Sequence, residues 1–304
     1  MAGTLQFRSG FEAETTVSEY SRNGKRHMHR ITGEDAETGY DWDDLPCAEA
    51  YFVYIIGDEA PNDYVTTDIQ TVEGIDGKPT QALHMSVKGD YAPGKSTSRN
   101  EFSLFYDASG PNAYEEGYVK YWMRLEDDFI ERFPTERPNW RMMMEWKEPN
   151  SGTTTEKGGT NNYRINIHIV MRNGRPLWQT IGQEVQPVRI TEWEETNEAH
   201  EVPVGRWFQV EAYMKKHATD GQVFFAVDGE TICDYRGRTE HKDNPLPLRF
   251  WSIFKLYHGT KWIEKEPTHQ WIDNVELWSG FPDRRQMTSL TSLRRGFGWQ
   301  VGDK

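Results

Sequence analysis

The chain has 304 residues, of which 36% are hydrophobic and 13% aromatic, and its 48 acidic against 35 basic residues give a net charge of −13. A field of that sign repels nucleic acid and anionic membrane surfaces, so neither is an expected partner. No apolar run reaches the roughly 18 residues needed to span a bilayer.

Taken in chain order, residues 1–8 lack the apolar core of a signal peptide. Residues 18–48 are polar and charged and read as a long loop. Runs with alternating or aromatic-rich character then predict strands at 51–56, 81–88, 98–106 and 117–125, a short helical piece within 126–133, and a strand at 140–147. Residues 148–162, rich in Gly and Thr, are expected to form a lid-like loop. Further strands are predicted at 163–171, 206–215, 221–228, 231–235, 247–257 and 269–278. Asp228-Gly229 supplies the chemistry of a two-residue hairpin turn. Many short strands between turn signals, with little helical periodicity, predict an all-β antiparallel sandwich or jelly roll of the concanavalin A-like kind, with a concave groove. The expected organisation is one domain over 1–281 and a polar tail over 282–304. Cys47 and Cys233 are too far apart in sequence to decide whether they pair.

The most informative segment is Tyr163-Arg164-Ile165-Asn166-Ile167-His168-Ile169. A two-residue period puts Ile165, Ile167 and Ile169 on one face and Arg164, Asn166 and His168 on the other, at steps of about 6–7 Å. A cation, an amide and a titratable base in a row suit a binding floor better than a merely solvated surface. Other segments share the pattern. Arg99 and Glu101 face away from Phe102 and Leu104. Arg141, Glu145 and Lys147 face away from Met142, Met144 and Trp146. Trp251, Lys255 and Tyr257 face away from Phe250, Phe254 and Leu256. Trp251 is then a candidate sugar platform. Arg99 with Glu101 also fits a plain salt bridge, and Arg164 fits a pair with an acidic neighbour.

Together these groups match the needs of β-elimination on a uronic-acid polysaccharide. The sugar carboxylate must be neutralised by Arg, Lys or an amide. A base, His or Tyr, must take the C5 proton, and an acid such as a Tyr hydroxyl must protonate the leaving oxygen. No metal or organic cofactor is required; no metal-ligand spacing is present, and a structural calcium ion is compatible with the sequence.

Arg99-Asn100-Glu101, Asn166-Ile167-His168 and Trp251-Ser252-Ile253-Phe254-Lys255-Leu256-Tyr257 resemble the three signature strands of the jelly-roll alginate lyases of polysaccharide lyase family 7. In this chain Asn166 stands for the family's Gln, Trp251 for its first Tyr and Leu256 for its Gly. The segments 204–210, 221–229 and 271–278 are similar to the related heparin lyase I and glucuronan lyase types. The resemblance implies a jelly roll, with Arg99 and Asn166 as carboxylate neutralisers, His168 as base or neutraliser, and Tyr257 as acid or acid/base. Arg164, Lys255, Trp251, Glu101 and Arg141 are expected to bind substrate. The expected partner is an anionic polysaccharide of the alginate, glucuronan or glycosaminoglycan type, acted on by a monomer. That function would place the protein outside the cell or in the periplasm.

The alternative is a non-catalytic, lectin-like carbohydrate-binding protein on the same fold, which fold alone cannot distinguish. A sandwich glycoside hydrolase needs two carboxylates flanking the scissile bond. The Glu192-Trp193-Glu194-Glu195 run lacks the alternation for it.

Overall fold

A computed structural model describes residues 2–23, 26–55, 65–88, 99–111, 113–133, 139–149, 162–185, 188–259 and 267–283. The first strands in chain order are β1 (Leu5–Ser9), β2 (Thr16–Asn23), β3 (Arg26–Thr32), β4 (Glu49–Ile55), β5 (Val65–Glu73) and β6 (Pro79–Val87). They are followed by β7 (Arg99–Phe105), β8 (Glu116–Leu125), the short helix α1 (Phe129–Arg132), β9 (Trp140–Lys147) and β10 (Tyr163–Arg172). The remainder are β11 (Arg175–Glu184), β12 (Ile190–Glu201), β13 (Trp207–Lys215), β14 (Gly221–Val227), β15 (Glu230–Gly237), β16 (Phe250–His258) and β17 (Thr268–Trp278).

They form two antiparallel sheets. One runs β15-β14-β13-β8-β17-β6-β5, with β1 added beside β17. The other, which carries the predicted site, runs β12-β11-β10-β9-β16-β7-β4-β3-β2. The predicted all-β antiparallel sandwich is the fold observed. Its order follows from alternation. Ile165, Ile167 and Ile169 are wholly buried between the sheets with Phe102, Leu104, Phe254 and Leu256 of neighbouring strands, and with Val119, Met123 and Ile272 of the opposite sheet. Each such isoleucine contributes about 1.5–3 kcal/mol by leaving water.

Two differences from expectation are informative. The stretch read as a loop over 18–48 contains most of the β2–β3 hairpin, in which Val17 pairs with Ile31. This hairpin lies at the sheet edge, so it needs few apolar residues and shows little alternation. The strands β1, β5, β11 and β12 also lie outside the predicted set. The β10–β11 hairpin turns at Asn173-Gly174, both in the left-handed region (φ 53° and 75°), as at Asp228-Gly229 (φ 52° and 82°). Cys47 and Cys233 are free thiols. Residues 150–161 of the expected lid and 284–304 of the expected tail lie outside the described residues.

Candidate active site

Strand register sets the site. On the outer face of the nine-stranded sheet, one row across the strands reads Arg99 (β7), Tyr257 (β16), Met142 (β9), His168 (β10) and Gln179 (β11). A second row, two residues away on β10 and four on β7, contains Ser103, Ser252, Glu145 and Asn166. A third contains Phe105, Phe250, Lys147 and Arg164. Between the first two rows lie Glu101 and its register partner Lys255.

This register holds only because both central strands bulge. On β16, Ser252 pairs with Ser103 but Phe254 pairs with Phe102, so Ile253 is an extra residue. On β9, the same slip occurs between Met142 and Met144, with Met143 left over. A bulge of one residue exchanges the faces of everything beyond it. Three expectations are corrected in consequence. Trp251 is not a sugar platform: it is 2% exposed, stacked on Trp146 at 5.4 Å inside the core, while Phe250 takes the outer face. Arg141 does not line the site. It is buried on the inner side, donating to Glu126 at 3.2 Å and to the His269 carbonyl at 3.0 Å. Met142, expected in the core, lies between His168 and Tyr257 on the outer face.

The remaining residues converge. Tyr257 carries the Arg99 guanidinium 5.6 Å above its ring centroid and the Lys255 ammonium at 5.5 Å. The indole of Trp140 stacks on the His168 ring at 5.4 Å and meets Tyr257 edge-on at 5.1 Å. Trp140 thus joins the two groups that the sequence nominates as base and acid, and it was not itself among the expected site residues. Lys255 is fully buried and paired with both Glu101 (2.5 Å) and Glu145. Glu145 also receives Lys147 at 2.8 Å and Arg164 at 4.0 Å, and Arg99 lies 3.8 Å from Glu101. The expected Arg99–Glu101 contact is therefore present, and Lys255 is held inside the ionic cluster. Arg99, Lys147, Arg164 and Lys255 against Glu101 and Glu145 leave two positive charges in excess in this cluster, within a chain of strongly negative charge.

Burial tunes these groups. Burial alone would raise the Glu145 carboxyl, but Lys147, Lys255 and Arg164 outweigh it and hold the group near 2. Burial likewise opposes ionisation of Glu101, whose pKa its cationic neighbours Arg99, Lys147 and Lys255 bring well below the ordinary range. Desolvation lowers Lys147 to about 8 despite both carboxylates. His168 is lowered to about 4, chiefly by burial, so it is a neutral imidazole at neutral pH. Its Nε2 and the Oδ1 of Asn166 are buried with no hydrogen-bond partner. Two buried polar atoms without partners on the same face of one strand are a costly arrangement unless a ligand supplies the missing hydrogen bonds. Among the described residues no group of three or more His, Cys, Asp or Glu has the arrangement of a metal site.

No protein-family model matches the chain, and no curated protein matches it. Solved structures do. A double mutant of alginate lyase Aly36B in complex with alginate trisaccharide aligns over 90% of this chain and 100% of its own, at 16% identity and a TM-score of 0.50. The chain has a polysaccharide-lyase-like fold. The endo-beta-1,4-glucuronan lyase from the fungus Trichoderma reesei aligns over 72% of this chain and 90% of its own, at 19% identity and a TM-score of 0.47. A structure of botulinum neurotoxin type C, whose cell entry depends on two ganglioside molecules, aligns over 96% of this chain and 51% of its own, at 10% identity and a TM-score of 0.43. These likenesses are ones of fold.

Proposed function

We propose that the protein is a polysaccharide lyase that cleaves a uronate-containing polymer by β-elimination. The observation that carries this reading is the packing of neutral His168 and Tyr257 on either side of one indole, Trp140, with Arg99 over the tyrosine ring.

In the reaction, the sugar carboxylate is met by Arg99 and by the Asn166 amide, which offset the charge that develops on it as C5 loses its proton. His168 Nε2 accepts that proton, and the C5–H electrons form the C4–C5 double bond. The C4–O bond breaks, and the Tyr257 hydroxyl gives its proton to the leaving oxygen. The excess positive charge of the cluster favours a polyanion locally, and screening over about 8–10 Å limits repulsion from the rest of the chain. Arg164 and Lys147 would hold a neighbouring carboxylate. Lys255, locked between Glu101 and Glu145, keeps those carboxylates away from the substrate rather than binding it. The extracellular or periplasmic setting remains the one such a substrate implies.

The test is ultraviolet absorbance of the unsaturated uronate product over a panel of alginate, glucuronan and glycosaminoglycan polymers. A rise on one polymer, abolished in His168→Ala and Tyr257→Phe, is the expected result. Flat traces on all of them with retained binding would instead assign a sugar-binding protein.

A further inference from the structure

A uronate ring presents three unlike parts: a carboxylate, hydroxyls, and a face of C–H bonds. One row of the nine-stranded sheet carries the three matching chemistries in order. Across β4, β7, β16, β9 and β10, register partners on the outer face read Glu49, Phe105, Phe250, Lys147 and Arg164. Exposed Glu49 stands at one end, two half-buried rings follow, and buried Lys147 and half-buried Arg164 complete the row. It spans four strand spacings, about 19 Å. The rings are fixed in place. Tyr51 stacks on Phe105 at 4.3 Å, and Phe105 meets Phe250 edge to face at 5.8 Å. Among the described residues, none of these three rings belongs to the core between the sheets. The Lys147 ammonium lies 4.9 Å from the Phe250 ring centroid and 2.8 Å from Glu145, so a ring as well as an ion pair sets its position. Arg164 Nε donates to Gln183 Oε1 at 2.9 Å, which holds the neighbouring guanidinium. Along β10 the row lies four residues from His168, about 13 Å at the strand rise. A sugar seated on it is not the one being cleaved.

We infer that this row is an accessory subsite that holds one uronate ring of the polymer at a distance from the scissile bond. The ring face lies on Phe105 and Phe250, the carboxylate meets Arg164 and Lys147, and hydroxyls donate to Glu49. The subsite rests on the lyase reading above for the class of polymer, not for its geometry. Opposite charge at the two ends fixes which way the sugar lies, because a reversed ring would set its carboxylate against Glu49. Filling this row and the catalytic row together takes an oligomer of several sugars, so the subsite rewards long chains.

The experiment uses the full chain carrying His168→Ala, which the lyase reading makes inactive. It is titrated calorimetrically with alginate, glucuronan and glycosaminoglycan oligosaccharides of graded length, and with the same oligosaccharides after reduction of their carboxyls to alcohols. Affinity is expected to step up once an oligomer is long enough to reach from residue 168 to Arg164. Phe250→Leu keeps the apolar character and removes the ring beneath the ammonium. It should weaken binding of long oligomers by at least about 3-fold, and of short ones less. Phe250→Tyr, which keeps the ring, should bind long oligomers as the parent does. Lys147→Met should narrow the preference for uronates over their reduced forms. Undiminished affinity in Phe250→Leu, equal losses on short and long oligomers, a Phe250→Tyr as weak as Phe250→Leu, or binding of no oligomer would each overturn the subsite. If the unsubstituted protein cleaves no polymer and the length-dependent losses are seen, the lyase reading fails and the subsite stands. Cleavage without those losses does the reverse.

Discussion

Trp251 and Lys255 lie four residues apart on one strand yet face opposite sides of the sheet, the indole in the core and the ammonium in the ionic cluster. In a regular strand, residues that far apart share a face. The extra residue Ile253 separates them.

The first prediction follows from that separation. Trp251→Ala should lower stability by about 3–5 kcal/mol, as for other buried Trp-to-Ala changes. Trp251→Phe should keep the fold with normal polymer binding. Denaturant titration and KM measured on the same samples check both. A raised KM in a stably folded Trp251→Phe would return the indole to the substrate.

Trp140 should behave in the opposite way. It is only partly buried and contacts both His168 and Tyr257. Trp140→Ala should cost little stability and reduce kcat on the order of 10²-fold, because a displacement of about 1 Å at reacting groups has that effect. Single-turnover kinetics would separate this from a binding defect.

Lys255→Met leaves two carboxylates, Glu101 and Glu145, without their shared cation in a buried site. Removing one partner of a buried ionic set costs about 3–5 kcal/mol. Adding Glu145→Gln to Lys255→Met should recover part of that loss. An additive double variant, measured by thermal or denaturant unfolding, would refute the shared-cation arrangement.

The pH dependence has a definite sign. The folded His168 lies at about 4 against an ordinary value of 6.5. Between these values the unfolded chain binds the proton and the folded one does not. The contribution of His168 is therefore fully present above pH 6.5 and is lost as pH falls through about 4. Glu145, near 2 against an ordinary 4.5, adds a further loss from pH 4.5 downward. For catalysis the base is competent above about pH 4, so kcat/KM should show an acid limb there. A limb near 6.5 would contradict a buried His168 as the base.

At the alkaline side, Lys147 loses its proton near pH 8 and the excess charge of the cluster falls by one. KM for an anionic polymer should rise through that pH and should rise less steeply in Lys147→Met. Added salt should weaken binding in both.

Much of this was legible in the residues. The isoleucine alternation of β10 gave its two faces directly, and Arg99, Asn166, His168 and Tyr257 fall on the outer side together. What failed was counting in twos across β9 and β16. Bulges are placed by the partner strands and leave no composition signal at Met143 or Ile253, so Arg141 and Trp251 were assigned the wrong side. Gln179 was missed for a different reason. Its strand β11 was announced by Asn173-Gly174, a strong hairpin signal that lies between Arg172 and Arg175. The many polar residues beyond that turn obscured it. Trp140 opens a recognised strand, but its reach to both His168 and Tyr257 depends on three strands being side by side.

The strand β12 ends its sheet, and Glu192, Glu194, Glu195, Glu198 and Glu201 along it are exposed. An unpaired strand border is a template on which another copy can continue the sheet. Here the approach of a second molecule would bring the carboxylates of one border close to those of the other, at a strand spacing of about 4.8 Å. The glutamates that give this border its negative charge therefore also guard against fibrillar stacking, and Glu194 among them accepts a hydrogen bond from Gln179, the register partner of His168.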